Sequence, residues 1–437
     1  MSDPVAPRAP AVPTSRVPAS RAPASRVPAS GAPCPVAAAA AVAGRRRSQP
    51  PHEPFDVSAP AFERRADASV VVRSAALARA VLRAPGLVRQ AGFNAESMER
   101  AGPRLRKPIL FQEGDEHRRQ RTAIAHFFTP KAVGERYRTV MEGFSDELLG
   151  AFRASGGGDL SALAMRLAVR VAAEVVGLTD SRDGRMDRRL DAFFALDPVP
   201  FSWRPDRLWR FARVQAAMLR FYRSDVRPAI RARRRRPQDD VISHLIERGH
   251  TDADILIEAV TYGAAGMVTT REFIGMAAWH LLQDEGLRNG YLARDSEGRQ
   301  RFLAEVVRLE PVVGHLMRRV EQPLDLDVDG RTETLAPGTL VDIDIRAANA
   351  DASAVGDDPL ALRPDRTMRA RGLLPYALAF GDGHHRCPGT FLALEEADTF
   401  LSRLLRLPGL RIASGPTLRF SELVHGYEVR DLMLRLD

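Results

Sequence analysis

The chain is 437 residues long, 45% hydrophobic and 27% charged, a globular composition that excludes a collagen, a wholly disordered protein and a membrane bundle. Two cysteines, Cys34 and Cys387, exclude a disulfide scaffold, a four-cysteine zinc site and an iron–sulfur cluster carried by this chain alone. The net charge is +9, yet residues 1–50 hold seven arginines against one acid, Asp3, so +6 lies there and only +3 in the rest; this weighs against a nucleic-acid partner.

Residues 1–52 repeat Pro, Ala, Ser and Arg without an aromatic side chain and are expected to form a disordered extension, because they cannot bury enough surface to offset ordering entropy. Val36–Gly44 is too short to span a bilayer. Arg45, Arg46 and Arg47 follow that run instead of preceding it, unlike a secretory signal; a transit peptide is the weaker alternative. Cys34 has no expected role. Residues 53–437 read as one large domain. Apolar residues three and four apart predict helices over Tyr137–Phe152, Leu160–Val176, Asp252–Gln283 and Arg301–Arg308. Leu324–Ile345 alternates in character, is broken at Asp329-Gly330 and Pro337-Gly338, and predicts strands. The expected fold class is mainly α with a small β-sheet region, and no Rossmann fingerprint or phosphate loop is present.

The densest signal is PYALAFGDGHHRCPGTFLALEEA, residues 375–397. Cys387 is the only thiol of the body, bracketed by Gly381, Gly383 and Gly389, and a helical pattern resumes at Thr390–Leu405. Tight turns leave N–H groups free to point at sulfur, and a helix N-terminus favours a thiolate. Four chemistries compete for such a cysteine: an inert buried thiol, a zinc ligand with His384 and His385, a nucleophile paired with histidine, and an axial thiolate on haem iron. The zinc set lacks a fourth ligand and the usual spacing.

The order Phe380-Gly381-x-Gly383-x-His385-x-Cys387-x-Gly389 resembles the cysteine loop of cytochromes P-450. Further segments resemble that family in the same order. They are His117-x-x-x-Arg121, Ala265-Gly266-Met267-Val268-Thr269-Thr270, Glu305-x-x-Arg308, Arg318, Ala348-Asn349-Ala350-Asp351 and Arg363-Pro364-Asp365-Arg366. The resemblance runs from Pro54 to Asp437 and implies the soluble, cytoplasmic bacterial type of this single-domain haem-binding fold.

What the resemblance implies is specific. Haem b would take Cys387 as its iron ligand, with Phe380, Gly381 and Gly389 shaping the loop. The propionates would meet His117, Arg121, Arg318 and His385; His117 and Arg121, four apart, share a helix face. Glu305 and Arg308 would form a buried pair with Arg366 that holds the pocket in shape. Gly266 would leave room for dioxygen. Thr269, four residues after Ala265, can compete for that carbonyl and open the helix. Val268 departs from the family, which usually has Asp or Glu there, so protons would travel through water, Thr270 or an acid such as Glu272. Arg271 lies roughly opposite Thr269.

Electrons would come from a ferredoxin or flavodoxin with its NAD(P)H reductase, since no flavin or iron–sulfur segment is expected in the chain, and Arg118, Arg119 and Arg386 are candidate docking cations. The substrate would be an apolar small molecule, free or carrier-bound, in a pocket drawn from Val88–Phe111, Phe193–Trp209 and Val260–Thr269, with Phe193, Phe194, Phe201 and Trp203. The expected activity is a monooxygenase, acting in secondary metabolism as a monomer with no nucleic acid and no membrane. Oxidative coupling or desaturation on the same fold is the alternative, and a non-catalytic haem sensor or carrier is the alternative of another class.

Overall fold

The computed structural model describes residues 56, 58–93, 95, 106–194, 196, 204–421 and 425–437, all within one contact unit, Gly44–Asp437. The extension expected over 1–52 lies outside the described residues, as does Cys34.

The helical readings hold where an apolar stripe has clear ends. Leu160–Val176 forms as predicted because Asp159 accepts from Ser161 N at its start and Gly177 ends it in the left-handed region. Arg138–Ala154, Ser296–Leu309 and Thr390–Leu404 match their predictions to within a turn or so, apart from an earlier start at Ser296. These helices share one core with Thr269–Gln283 and the helix Asp252–Tyr262.

The run predicted as one helix, Asp252–Gln283, is interrupted. Asp252–Tyr262 passes through a wider, π-helical segment, Gly263–Val268, before Thr269–Gln283 resumes. The Thr269 hydroxyl donates to Ala265 O at 2.6 Å, so a side chain takes a carbonyl that the helix would otherwise use.

The sheet content is larger than expected. Leu324–Val328 and Arg331–Leu335 pair as a hairpin across Asp329 and Gly330, both at positive φ. Leu340–Asp344 leaves that hairpin for a five-stranded sheet. It pairs parallel with Val70–Val72 and antiparallel with His315–Val320, and Phe62–Arg64 and Val88–Gln90 form the edges. Gly157–Asp159, Met433–Leu436 and Leu410–Ser414 form a third sheet, and Thr417–Ser421 with Gly426–Arg430 a fourth. Most of these strands are three to five residues long, too short for alternation to register. The five-stranded sheet packs with the helix Ala75–Leu82 into a second apolar cluster, against which the cysteine loop sits.

Candidate active site

The cysteine loop is held by its backbone. Cys387 N donates to Phe380 O at 2.9 Å and Gly381 N to Leu378 O at 2.8 Å. Gly383 has φ +67° and lies so close to Leu82 that a Cβ there would collide with the Leu82 carbonyl, which explains why this position is glycine. Asp382 binds Arg79 at 3.1 Å and Arg83 at 2.9 Å, pinning the loop to Ala75–Leu82. Gly389 caps Thr390–Leu404. The half-buried Cys387 thiol is pushed up by burial; the Gly389 N–H, the Arg121 guanidinium, the Thr390 hydroxyl and Arg386 oppose that shift by favouring the thiolate.

The predicted propionate partners are brought together. His117, on Gly114–Ile124, lies with its ring centroid 4.2 Å from His385 and 5.6 Å from His384. Burial, with His385 and Arg121 nearby, pushes the His117 pKa down to about 3. Arg318 is buried on the strand His315–Val320, where burial lowers it to about 10. It donates to Gln90 Oε1 and to Met317 O at 2.9 Å, and its Nε has no partner. Arg121 donates to Arg386 O, and its pKa is lowered by burial but favoured by Cys387 and Tyr262. Its bond to Arg386 O ties the helix Gly114–Ile124 to the residue before Cys387.

Glu113, not among the residues expected at the site, accepts from His385 at 3.0 Å, His384 at 3.1 Å and Gln90 N at 2.8 Å. Those contacts hold its pKa well below the carboxylate range despite burial. Its place four residues before His117 was the available signal. Two guanidiniums (Arg121 and Arg318) and three imidazoles (His117, His384 and His385) thus gather near a single described carboxylate, Glu113. Burying that surplus is costly without further anions; the two propionates of haem would supply them, so the donor set fits the group.

Glu305, Arg308 and Arg366 form the expected buried cluster. Glu305 accepts from Arg308 at 2.6 and 2.7 Å, from Arg366 at 2.9 Å and from Arg363 N at 3.0 Å. Arg308 also donates to Asn349 O at 2.7 Å and Pro359 O at 2.8 Å. Asn349 returns Nδ2 to Arg308 O at 3.0 Å and accepts from Leu378 N at 2.8 Å. That last bond ties the cluster to the residues leading into the cysteine loop.

On the opened segment Ala265 and Gly266 are exposed, unlike the residues that follow in Thr270–Ala278, and a Cβ on Gly266 would meet no atom within 4 Å. Val268 and Thr269 are half-buried. Glu272 does not suit the relay considered for it. It accepts from Val429 N at 2.6 Å, Arg430 at 2.7 and 2.9 Å and Arg271 at 2.8 Å, so its oxygens are saturated. Arg271 turns away to Asp191 and Glu272.

Arg118 and Arg119 are exposed, Arg118 paired with Asp115, and the Arg386 guanidinium is engaged by the Tyr376 hydroxyl and ring. Of the expected pocket aromatics, Phe193 and Phe194 pack edge to face at 5.1 Å, while Phe201 and Trp203 lie outside the described residues. No helix among the described residues is long and apolar enough to cross a membrane.

The family model for cytochrome P450 matches residues 300–411. Cytochrome P450 107B1 of Saccharopolyspora erythraea is 30% identical over 352 residues, 77% of this chain and 79% of that protein. The mycinamicin IV hydroxylase/epoxidase of Micromonospora griseorubida is 30% identical over 341 residues, 75% of this chain and 80% of its own. The crystal structure of CalO2 superposes with a TM-score of 0.70 at 25% identity, covering 86% of this chain and 93% of that one. With such identity across three quarters or more of both sequences, and this fold around Cys387, the chain belongs to the cytochrome P450 family and is a haem-thiolate monooxygenase.

Proposed function

We propose that Cys387 is the thiolate ligand of this monooxygenase, that His117, Arg121, Arg318 and His385 hold the haem propionates, and that Thr269 manages the proton supply for hydroxylation of an apolar organic substrate of secondary metabolism. One observation carries the reading: His117, Arg318 and His385, from three separate elements, converge beside the loop that holds the Cys387 thiol, where Arg121 donates to Arg386 O. Haem bound through a thiolate supplies the splitting of dioxygen.

The chain's own residues do the rest. The Gly389 N–H and the helix Thr390–Leu404 stabilise negative charge on sulfur, and the Thr390 hydroxyl donates to Cys387 O at 3.0 Å, holding the residue in place. His117 and Arg318, each depressed by burial, regain their ordinary preference for the charged form when carboxylates face them. Gly266 keeps the helix surface clear. The Thr269 hydroxyl, now bonded to Ala265 O, can rotate to hold a water or deliver a proton. Valine at 268 cannot do so, Thr270 is buried and Glu272 is fully paired, so the route runs through Thr269 and water. Arg119, with Arg118 beside it in its pair with Asp115, offers a cation to an acidic ferredoxin or flavodoxin served by an NAD(P)H reductase.

The domain boundary near residue 53 and the disordered character of 1–52 are part of the same proposal; composition supports them. Turnover in labelled dioxygen with NADPH, ferredoxin and its reductase tests the activity. One labelled oxygen in the product is expected. Loss of hydrogen without labelled oxygen would instead assign coupling or desaturation.

A further inference from the structure

Residues 204–236 hold twelve arginines against Asp206 and Asp225, a net +10 in a chain whose total is +9. The excess of positive charge is therefore not confined to the first fifty residues, as the sequence reading had it; the rest of the body is net acidic. Ten of the twelve arginines are exposed, Arg227 is half-buried, and Arg233 is buried against Asp180 and Asp240.

Helix Pro205–Phe221 buries only Phe221 fully. Phe211, Val214, Ala217 and Met218 are half-buried and mark its inner face. The outer face carries Leu208, Ala212, Gln215 and Leu219 in a row. Leu208, Trp209 and Leu219 are 36%, 61% and 47% exposed, half of the six large hydrophobic side chains exposed among the described residues. Arg213 lies over the Trp209 ring at 4.7 Å. An apolar stripe with an arginine rim has the make-up of a protein-docking face.

Its position says what would dock. The helix packs on Met186–Phe194, whose Phe194 and Leu190 stand 3.5 and 3.6 Å from the Cβ position of Gly263. The two helices therefore cover the start of the Gly263–Val268 segment. The cysteine loop packs elsewhere, against Leu82, Arg79, Arg83 and Glu113. Electrons delivered at this roof would have to cross two helix layers, each about 8–10 Å, before the opened segment. A partner here serves the substrate.

We propose that helix Pro205–Phe221 docks a small acidic protein that carries the substrate covalently on a flexible arm and presents it over the opened segment. This rests on the monooxygenase site described above. An anionic lipid surface would draw on the same arginines and Trp209, and the vesicle arm of the test separates it from a carrier protein.

The test uses the full chain loaded with haem. The probe is a bacterial acyl carrier protein bearing a palmitoyl arm, compared with free palmitic acid and with phosphatidylglycerol vesicles. Binding of the carrier should weaken about tenfold or more in high salt and in R207E/R220E/R223E, and should fall severalfold in W209A. Palmitic acid binding to wild type should not show that salt dependence, and the spectrum of the reduced carbon monoxide complex should stay unchanged in both variants. Absence of carrier binding, carrier binding indifferent to the triple variant, or arginine-dependent binding to vesicles in its place would each overturn the docking proposal. Loss of the carbon monoxide spectrum in wild type would instead sink the site reading.

Discussion

Glu305 accepts four hydrogen bonds while only 2% exposed, from Arg308, from Arg366 and from Arg363 N. Glu305→Gln keeps the shape and removes the charge. A glutamine oxygen at the Oε1 position still faces three of those donors but carries no charge, and the amide hydrogens at the Oε2 position then point at Arg308 Nε. Two buried guanidiniums lose their carboxylate, a loss that costs about 3–5 kcal/mol. Unfolding entropy of about 2.1 cal/mol/K per residue over a body of about 385 residues comes to about 0.8 kcal/mol/K, so the melting temperature should fall by about 4–6 °C. Glu297, which pairs with Arg301 at 2.6 Å but is 81% exposed, is the control; Glu297→Gln should move the midpoint by about 1 °C or less. Thermal unfolding followed by circular dichroism reads both. If Glu305→Gln shifts the midpoint no more than the control, the cluster is worth no more than a solvated pair and does not hold the loop.

Other outcomes follow from single contacts. Thr269→Ala removes the donor to Ala265 O and should raise hydrogen peroxide release at the expense of product; a positioned proton donor is typically worth about 10²–10⁴-fold, and unchanged coupling would count against this helix as the proton route. Buried Glu258 accepts from Gln120 at 2.7 Å and Ile109 N at 2.9 Å, its other oxygen has no partner, and burial pushes it up to about 7. The unfolded carboxyl titrates near 4.3. Between those values the folded state holds the proton more tightly, so wild type loses stability as pH rises from about 4.3 to 7, by about 3 kcal/mol. Glu258→Gln should match wild type at low pH and exceed it above neutrality; denaturant midpoints that run parallel across that range would contradict the burial argument. A chain starting near Pro51 should keep haem content and melting temperature, and a large loss of either would give residues 1–50 a structural role.

Legibility varied with the kind of interaction. Leu160–Val176 could be read because its period, Asp159 and Gly177 all agree. The loop from Phe380 to Gly389 could be read because glycine positions are dictated by close backbone contact, as at Gly383. The hydroxyl bond from Thr269 was visible in its spacing, but not that the disturbance spans all of Gly263–Val268. Glu113 was missed because its partners, His384 and His385, lie about 270 residues away. Glu272 looked like a spare acid until the pairing with Arg430 and Val429 N appeared. The charge of 204–236 was hidden by averaging, since acids elsewhere in the body offset it.

The central claim is that Cys387 is the thiolate ligand, and the spectrum of the reduced carbon monoxide complex tests it most directly. Wild type should show the red-shifted Soret band of thiolate ligation, Cys387→Ala should lose it, and Cys34→Ala should keep it. Retention of that band without the Cys387 sulfur would contradict the account.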